Sequence, residues 1–191
     1  MARPKQFDPD VALDAAIDVF REHGYAGTSA EMLVEAMHIG KQSLYNTFGG
    51  KWPLYCAALE RYAAAETAGH VEALGSASTA LGGVEAMMKR VVAEARLACL
   101  GTHSISEFSD AREGTEELAR IRQAAGRSLR TALAARLRQA QRDGEVSADL
   151  DVQHAAGFLI ANIAGIRLAA RGGAGDTELR ALARLSLQAL K

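Results

Sequence analysis

Between Asp10 and His23 the apolar residues Leu13, Ile17 and Phe20 recur at helical spacing, while Asp10, Asp14 and Asp18 fall on another face. This predicts an amphipathic helix that ends at Gly24. Gly24 is expected to take a left-handed C-cap geometry that a Cβ resists. A short second helix, Ser29 to Met37, is expected to open on a capping box formed by Thr28 and Glu31. His38 and Ile39 interrupt it, and Gly40 offers a permissive N-cap. Lys41 to Thr47 then reads as a third helix with Leu44 and Phe48 turned inward. Gly49 and Gly50 close this unit of two short helices around a tight turn, and Pro53 fits the first turn of the next helix, which is expected to run from Lys51 toward Val71.

Further along, Ser76, Ser78, Gly82 and Gly83 mark a loop before an amphipathic stretch at Val84, Met88, Val91 and Ala95, a helix expected to end near Cys99 to Gly101. From Glu113 to Asp143 the residues Leu118, Ile121, Ala125, Leu129, Ala132 and Leu137 predict one long helix or two abutting ones, with Gly144 behind. Asp151 can cap another helix through Arg171, and Asp176 or Thr177 can start a last one through Leu190. The pattern is all-α. Residues 1–50 read as a three-helix head, and residues 51–191 as a helical domain joined to it by a helix over 51–73.

Composition narrows the function classes. A chain of 191 residues, 49% hydrophobic, has room for one sizeable core or two modest ones. Its three prolines all precede position 54, which leaves helix propensity high over the remainder. Cys56 and Cys99 are too few for a disulfide framework, and no Cys/His spacing suits a metal site, so reduced thiols and no bound metal are expected. The first residues show no export leader, and the apolar run Ala155 to Ala170 is interrupted by Asn162 and Arg167, short of the roughly 18 uninterrupted residues of a membrane span. A cytoplasmic location without a membrane partner is expected. No nucleophile–base pair and no phosphate-binding glycine loop is visible, so neither catalysis nor a cofactor is expected.

A formal net charge of −1 gives no bulk attraction to nucleic acid. Any binding to DNA must come from placed groups. Thr28 to Phe48 has the layout of a helix-turn-helix, in which the first helix braces the second for the major groove. Lys41, Gln42 and Ser43 lead that entry, with Asn46 behind them. Gln42 suits adenine and Lys41 suits guanine O6/N7. Tyr45, Thr28 and Lys51 suit phosphate oxygens. Arg3, Lys5, Arg21, Lys41 and Lys51 are outnumbered here by Asp8, Asp10, Asp14, Asp18, Glu22, Glu31 and Glu35, so placement must outweigh the total.

The stretch DAAIDVFREHGYAGTSAEMLVEAMHIGKQSLYNTFGGKWPLYCA resembles the DNA-binding head of the TetR/AcrR family of bacterial repressors. Phe20, Gly24-Tyr25, Thr28-Ser29, Leu44-Tyr45, Phe48, Lys51 and Leu54 carry the match, which covers Asp10 to Leu59. His38 stands where the family usually has a turn glycine, and Gly40 where it usually has serine. The resemblance implies a homodimer on a double-stranded DNA operator, a helical ligand-binding and dimerisation domain, and an unidentified small-molecule effector that lowers operator affinity by moving the heads. ACLGTHSISEF around Cys99 is similar to one subgroup of the family, some of whose members respond to reactive electrophiles.

For the remaining residues two readings stand side by side. Phe158 to Ala170 is apolar nearly all round, which calls for burial on most faces, and Gly157, Ala161, Ala164 and Gly165 permit close helix approach at a dimer interface. Met87, Met88, Phe108, Phe158 and Asn162 are candidates for lining a ligand cavity or are plain core, and Cys99 and His103 are further candidates for ligand contact. Cys99, one helical turn from His103, is a sensor thiol or a small buried hydrophobe. The arginines at 120, 122, 127, 130, 136 and 138 suit a solvated or dimer-rim surface better than a second nucleic-acid face. A helical small-molecule-binding protein that does not regulate through its head is the alternative from another class.

Overall fold

The computed structural model describes residues 7–108 and 115–191, so Arg3, Lys5 and Glu113 lie outside the described residues. Among those described, the chain is helical throughout: α1 (Pro9–His23), α2 (Ala30–Ala36), α3 (Lys41–Phe48), α4 (Lys51–Gly75), α5 (Ala80–Ala93), α6 (Leu100–Glu107), α7 (Glu116–Arg142), α8 (Val152–Arg171) and α9 (Asp176–Gln188). The predicted all-α class holds, and 116–142 is one continuous helix. α5 starts at Ala80, so Gly82 and Gly83, expected in the loop before it, lie within the helix, and two other helix starts differ from expectation by a residue. Asp8 caps α1, accepting from the Asp10 N–H, with Pro9 in the first turn where its missing N–H costs nothing. Ser29, not Thr28, caps α2 by accepting from the Met32 N–H at 3.1 Å.

The chain divides into two compact units, Met1–Ala64 with Ala98–Gln123, and Ala65–Leu97 with Ala124–Lys191. The head therefore extends past the expected boundary at residue 50 and takes in α6, a helix absent from the periodic pattern, where only a helix end was anticipated. In this first unit Phe20 and Ala16 of α1, Leu33 of α2, Leu44 of α3, Leu54, Tyr55 and Leu59 of α4, Leu100 of α6 and Leu118 of α7 are buried together.

In the second unit α5, α8 and α9 pack on one another around Val84, Met88, Val91, Leu159, Ile163, Ile166 and Leu179, joined by Leu133 and Leu137 of α7. α8 is not buried on most faces as its composition suggested. Leu159, Ile163 and Ile166 face the core, while Phe158 is 44% and Leu168 71% exposed on the other side, with Ala161 and Gly165 beside them. Gly157 is half-buried beside the Arg130 guanidinium, the mobile end of an exposed side chain. By length and mean hydropathy α8 also satisfies the requirement for crossing a membrane. Its buried face and the ion cluster described next are those of a core helix.

Glu66 of α4 accepts from Arg167 of α8 at 2.6 Å and from Arg90 of α5 at 3.1 Å. Arg90 also contacts Nδ1 of His70 at 3.1 Å and Glu94 at 3.0 Å. Since the guanidinium can only donate, Nδ1 accepts and the imidazole proton sits on Nε2, toward Glu66. Burial, reinforced by Arg90 and Arg167 against the opposing pull of Glu66, pushes His70 down to about 4. An unfolded histidine titrates near ~6.5. The unfolded chain therefore takes the proton first, and the stability contributed by neutral His70 is complete above about pH 6.5 and lost as the pH falls toward 4. Burial raises the Glu66 carboxyl, but Arg167 and Arg90 outweigh it and hold the group below its usual range, so its contribution is also lost on acidification. Thermal melts at fixed ionic strength are expected to show the melting temperature dropping from pH 7 to pH 5, less steeply in His70→Gln. A flat profile in the intact chain would contradict this.

Candidate nucleic-acid interface

The recognition surface begins with what fixes α3. Leu44 is fully buried against Leu33 and Met37 of the α2 segment, so the opposite side of α3 turns outward. Between the helices His38 adopts φ 52°, the sole non-glycine at positive φ among the described residues, and the Ile39 N–H donates to Val34 O at 3.1 Å. A left-handed L-residue costs roughly 1–2 kcal/mol, less for histidine than for branched residues. His38→Gly is therefore expected to raise stability by roughly 0.5–1 kcal/mol in urea unfolding, because the gain at φ 52° exceeds the added freedom of the unfolded chain. A loss of stability would contradict this. Gly40 caps α3 in extended geometry without a side-chain bond, consistent with its expected role.

Lys41, Gln42, Tyr45 and Asn46 are exposed along α3, and Ser43 is half-buried beside them. The Gln42 amide donates to Oδ1 of Asn46 at 2.9 Å. That bond uses one of two N–H groups, which leaves Gln42 with a donor for adenine N7 and a carbonyl oxygen to accept from adenine N6. Lys41 lies 3.5 Å from the Glu31 carboxylate, an exposed contact worth little and easily exchanged. Glu31 is held below the usual carboxylate range by hydrogen bonding from its own backbone and from Ser29, with Lys41 adding to it.

The acidic excess of the head is largely neutralised locally. Arg61 pairs with Asp10 at 2.6 Å and Asp14 at 2.8 Å, and Arg21 with Asp18 at 3.2 Å. Three of the acidic residues counted against DNA binding are thus engaged along α1.

Thr28 does not reach outward as expected of a phosphate ligand. It is 2% exposed and its hydroxyl donates to Gly24 O at 2.5 Å, which leaves Ser29 to cap α2. Lys51 sits at the start of α4 with Nζ 4.2 Å above the Tyr25 ring, which holds it at the helix N-terminus. Tyr45 is 49% exposed with its ring edge against Gly50.

Below the recognition surface Tyr25 meets Trp52, Tyr55 and Phe108 at 5.1–5.6 Å, and Phe20 meets Tyr55 edge-on at 5.0 Å. Phe108, proposed from sequence as a cavity residue, belongs to this aromatic packing. The Tyr55 hydroxyl is buried with no hydrogen-bond partner among the described residues, and burial raises its pKa. Tyr55→Phe is expected to leave stability unchanged or to raise it by up to ~1 kcal/mol, because the substitution removes a desolvated hydroxyl and keeps the ring. A loss above ~1 kcal/mol in urea unfolding would show that the hydroxyl is satisfied in solution.

One connection was not legible in the sequence. The Glu107 carboxylate, at the end of α6, accepts from the Tyr25 N–H at 2.9 Å and the Ala26 N–H at 3.1 Å. A Cβ on Gly24, which has φ 67°, would stand 2.6 Å from that carboxylate. The glycine is thus required twice, by the turn and by the clamp; its ψ of −176° is not the left-handed helical value expected.

The residues proposed to line a cavity are divided between the two units. Met88, Phe158 and Asn162 belong to the second unit, with Met88 in its core and Phe158 on its surface. Cys99, His103 and Phe108 belong to the first. Cys99 is the half-exposed N-cap of α6, and the His103 N–H donates to its carbonyl at 3.0 Å. Cys56 is buried, and desolvation pushes its thiol up to about 11, as fits a packing residue.

A brace helix seated through Leu33, followed by a short helix that exposes Lys41, Gln42, Tyr45 and Asn46, defines a DNA-binding helix-turn-helix. Residues 12–58 match the family described as "Bacterial regulatory proteins, tetR family". Over 190 residues, 97% of this chain and 90% of the relative, the sequence is 32% identical to the HTH-type transcriptional repressor ComR of Escherichia coli (strain K12). The chain belongs to the tetR family of DNA-binding transcriptional regulators. It is also 42% identical over 74 residues to an uncharacterized HTH-type transcriptional regulator, YezE of Bacillus subtilis (strain 168), a match spanning 39% of this chain and 38% of YezE. Among solved structures, a cysteine mutant of the TetR family regulator CifR complexed with 26-base-pair operator DNA superposes with a TM-score of 0.83 at 29% identity, covering 99% of this chain and all of that one. Reduced E. coli NemR shares the fold, with a TM-score of 0.82 at 19% identity over 93% of both chains.

Proposed function

We propose that the chain is a homodimeric repressor whose two α3 helices enter successive major grooves of a near-palindromic operator and whose second unit binds a small-molecule effector that releases the DNA. The observation that carries this is the outward set Lys41, Gln42 and Asn46 on α3, with Gln42 retaining the donor and acceptor that read adenine. Ser43 adds a weaker contact at the helix start, and Tyr45 and Lys51 hold phosphates, Lys51 with the help of the α4 N-terminus. The exposed apolar side of α8, formed by Phe158, Ala161, Gly165 and Leu168 with Ala164 at its edge, supports pairing with a second copy. A repressor of this kind works in the bacterial cytoplasm, where its operator is, and needs no catalytic step.

The effector acts by binding one head spacing better than the other, so its effect is bounded by that difference in affinity. A second reading is favoured by Cys99, which stands half-exposed as the N-cap of α6. In it, electrophile modification of Cys99 replaces reversible ligand release. Mass spectrometry after mild electrophile treatment separates the two: release of DNA from a protein whose Cys99 is unmodified excludes it. The operator reading is tested by selecting bound sequences from random duplexes at fixed salt. A near-palindrome with half-sites about one helical turn, roughly 34–36 Å, apart is expected. No enrichment would leave a helical binding protein with an unused head.

A further inference from the structure

An open groove of about 740 Å³ runs between α5 and α9 in the second unit. That volume is within the roughly 300–1,000 Å³ of small-molecule sites. Its floor is apolar, formed by the half-buried Leu81 and Val92 of α5 and Leu187 of α9. Its rim is cationic. The two acidic side chains of the lining are already engaged, Glu85 with Lys89 at 2.7 Å and Asp176 with Arg96 at 2.8 Å. The excess positive charge therefore rests on the exposed Arg180, Arg184 and Lys191, directly above the apolar floor.

The helix geometry of α9 keeps this groove apart from the surface assigned to the dimer. At 3.6 residues per turn, the exposed Leu185 points roughly 150° away from the side shared by Arg180 and Leu187. A second copy seated on the apolar α8 side and Leu185 leaves the α5–α9 groove uncovered.

We propose that this groove binds a free single-chain amphipathic anion, with its alkyl tail along Leu81, Val92 and Leu187 and its carboxylate between Arg180 and Arg184. An apolar trough with cations at its edge matches one long tail and one negative head. Arginine, whose planar fork meets a carboxylate with two N–H groups, suits the headgroup better than lysine. The site goes beyond the operator reading and stands whether or not its occupancy changes DNA affinity.

The test is calorimetric titration of the full chain with laurate below its micelle concentration, alongside dodecanol as the uncharged analogue. Saturable binding of one laurate per protomer is expected, with affinity reduced at least tenfold in R180E/R184E and at least tenfold weaker for dodecanol. Both arginines are exposed, so the variant is expected to melt like the intact chain; R180Q/R184Q gives the same readout should charge reversal disturb folding. Absence of saturable binding, equal affinity for dodecanol, or laurate binding unaffected by either variant overturns the proposal. So does capture of the chain by phosphatidylglycerol vesicles that the variants lose while laurate does not bind, which would assign the groove to a membrane surface.

Discussion

Glu66→Ala is expected to cost about 3 kcal/mol of stability, the low end of what breaking a buried ion pair costs. Arg167 is 4% exposed and its guanidinium is 2.6 Å from Glu66, so the alanine variant removes the carboxylate that this buried charge meets. Glu66 itself keeps 22% of its side chain in water, which places the loss at the low end of the range. The cost arises from the buried charge that remains and not from the worth of the pair. Glu66→Leu combined with Arg167→Met is therefore expected to recover most of the loss, since an apolar pair of similar volume needs no desolvation. Denaturant unfolding at fixed protomer concentration measures both, with concentration fixed because dimerisation contributes to stability by mass action. A loss below ~1 kcal/mol for Glu66→Ala, or a double variant no better than the single, would show that water reaches the cluster.

Lys41→Ala with Gln42→Ala is expected to lower affinity for the selected operator roughly 100-fold or more at fixed salt, because each good base contact is worth ~1–3 kcal/mol and a dimer repeats it at two half-sites. The loss should fall on specific binding. Gln42 carries no charge, and Lys41 contributes only one cation per protomer to non-specific attraction. Lys51→Ala is expected to behave differently, weakening binding to all duplexes alike and reducing the salt slope, as fits a phosphate contact. If Lys51→Ala changed sequence preference while the α3 variant did not, the roles assigned to the two surfaces would be reversed.

What the chain disclosed from sequence was local. The spacing of Leu13, Ile17 and Phe20, the break at His38-Ile39 and the glycine pair at 49–50 place three helices because each signal acts within one or two turns. Asp151 capping α8 and Asp176 opening α9 belong to the same class. The one-residue difference between Thr28 and Ser29 arose because both hydroxyls suit a cap and the choice was made by packing, which buried Thr28.

Non-local pairings were not legible. Glu107 holds the Tyr25–Ala26 turn across 81 and 82 residues, and Arg61 reaches Asp10 and Asp14 across about fifty. No periodicity connects such positions. Arg167 shows the same limit: in sequence it only interrupts an apolar run, whereas the fold makes it the counter-ion of Glu66, 101 residues away. α6 was missed because its eight residues carry only Leu100 and Ser104 inward, too few to register as an amphipathic stripe. Charge counting erred in the other direction, since the formal excess of acid in the head took no account of which carboxylates are paired.

That α3 reads base edges, and does not merely rest on the backbone, is tested most directly by equilibrium titration of the intact chain against its selected duplex and a scrambled duplex of equal length at one salt concentration. Specific binding is expected to exceed non-specific binding by roughly 10³-fold or more, and Lys41→Ala with Gln42→Ala to remove most of that ratio. Equal affinity for the two duplexes, or a ratio untouched by the double substitution, would contradict sequence reading by α3.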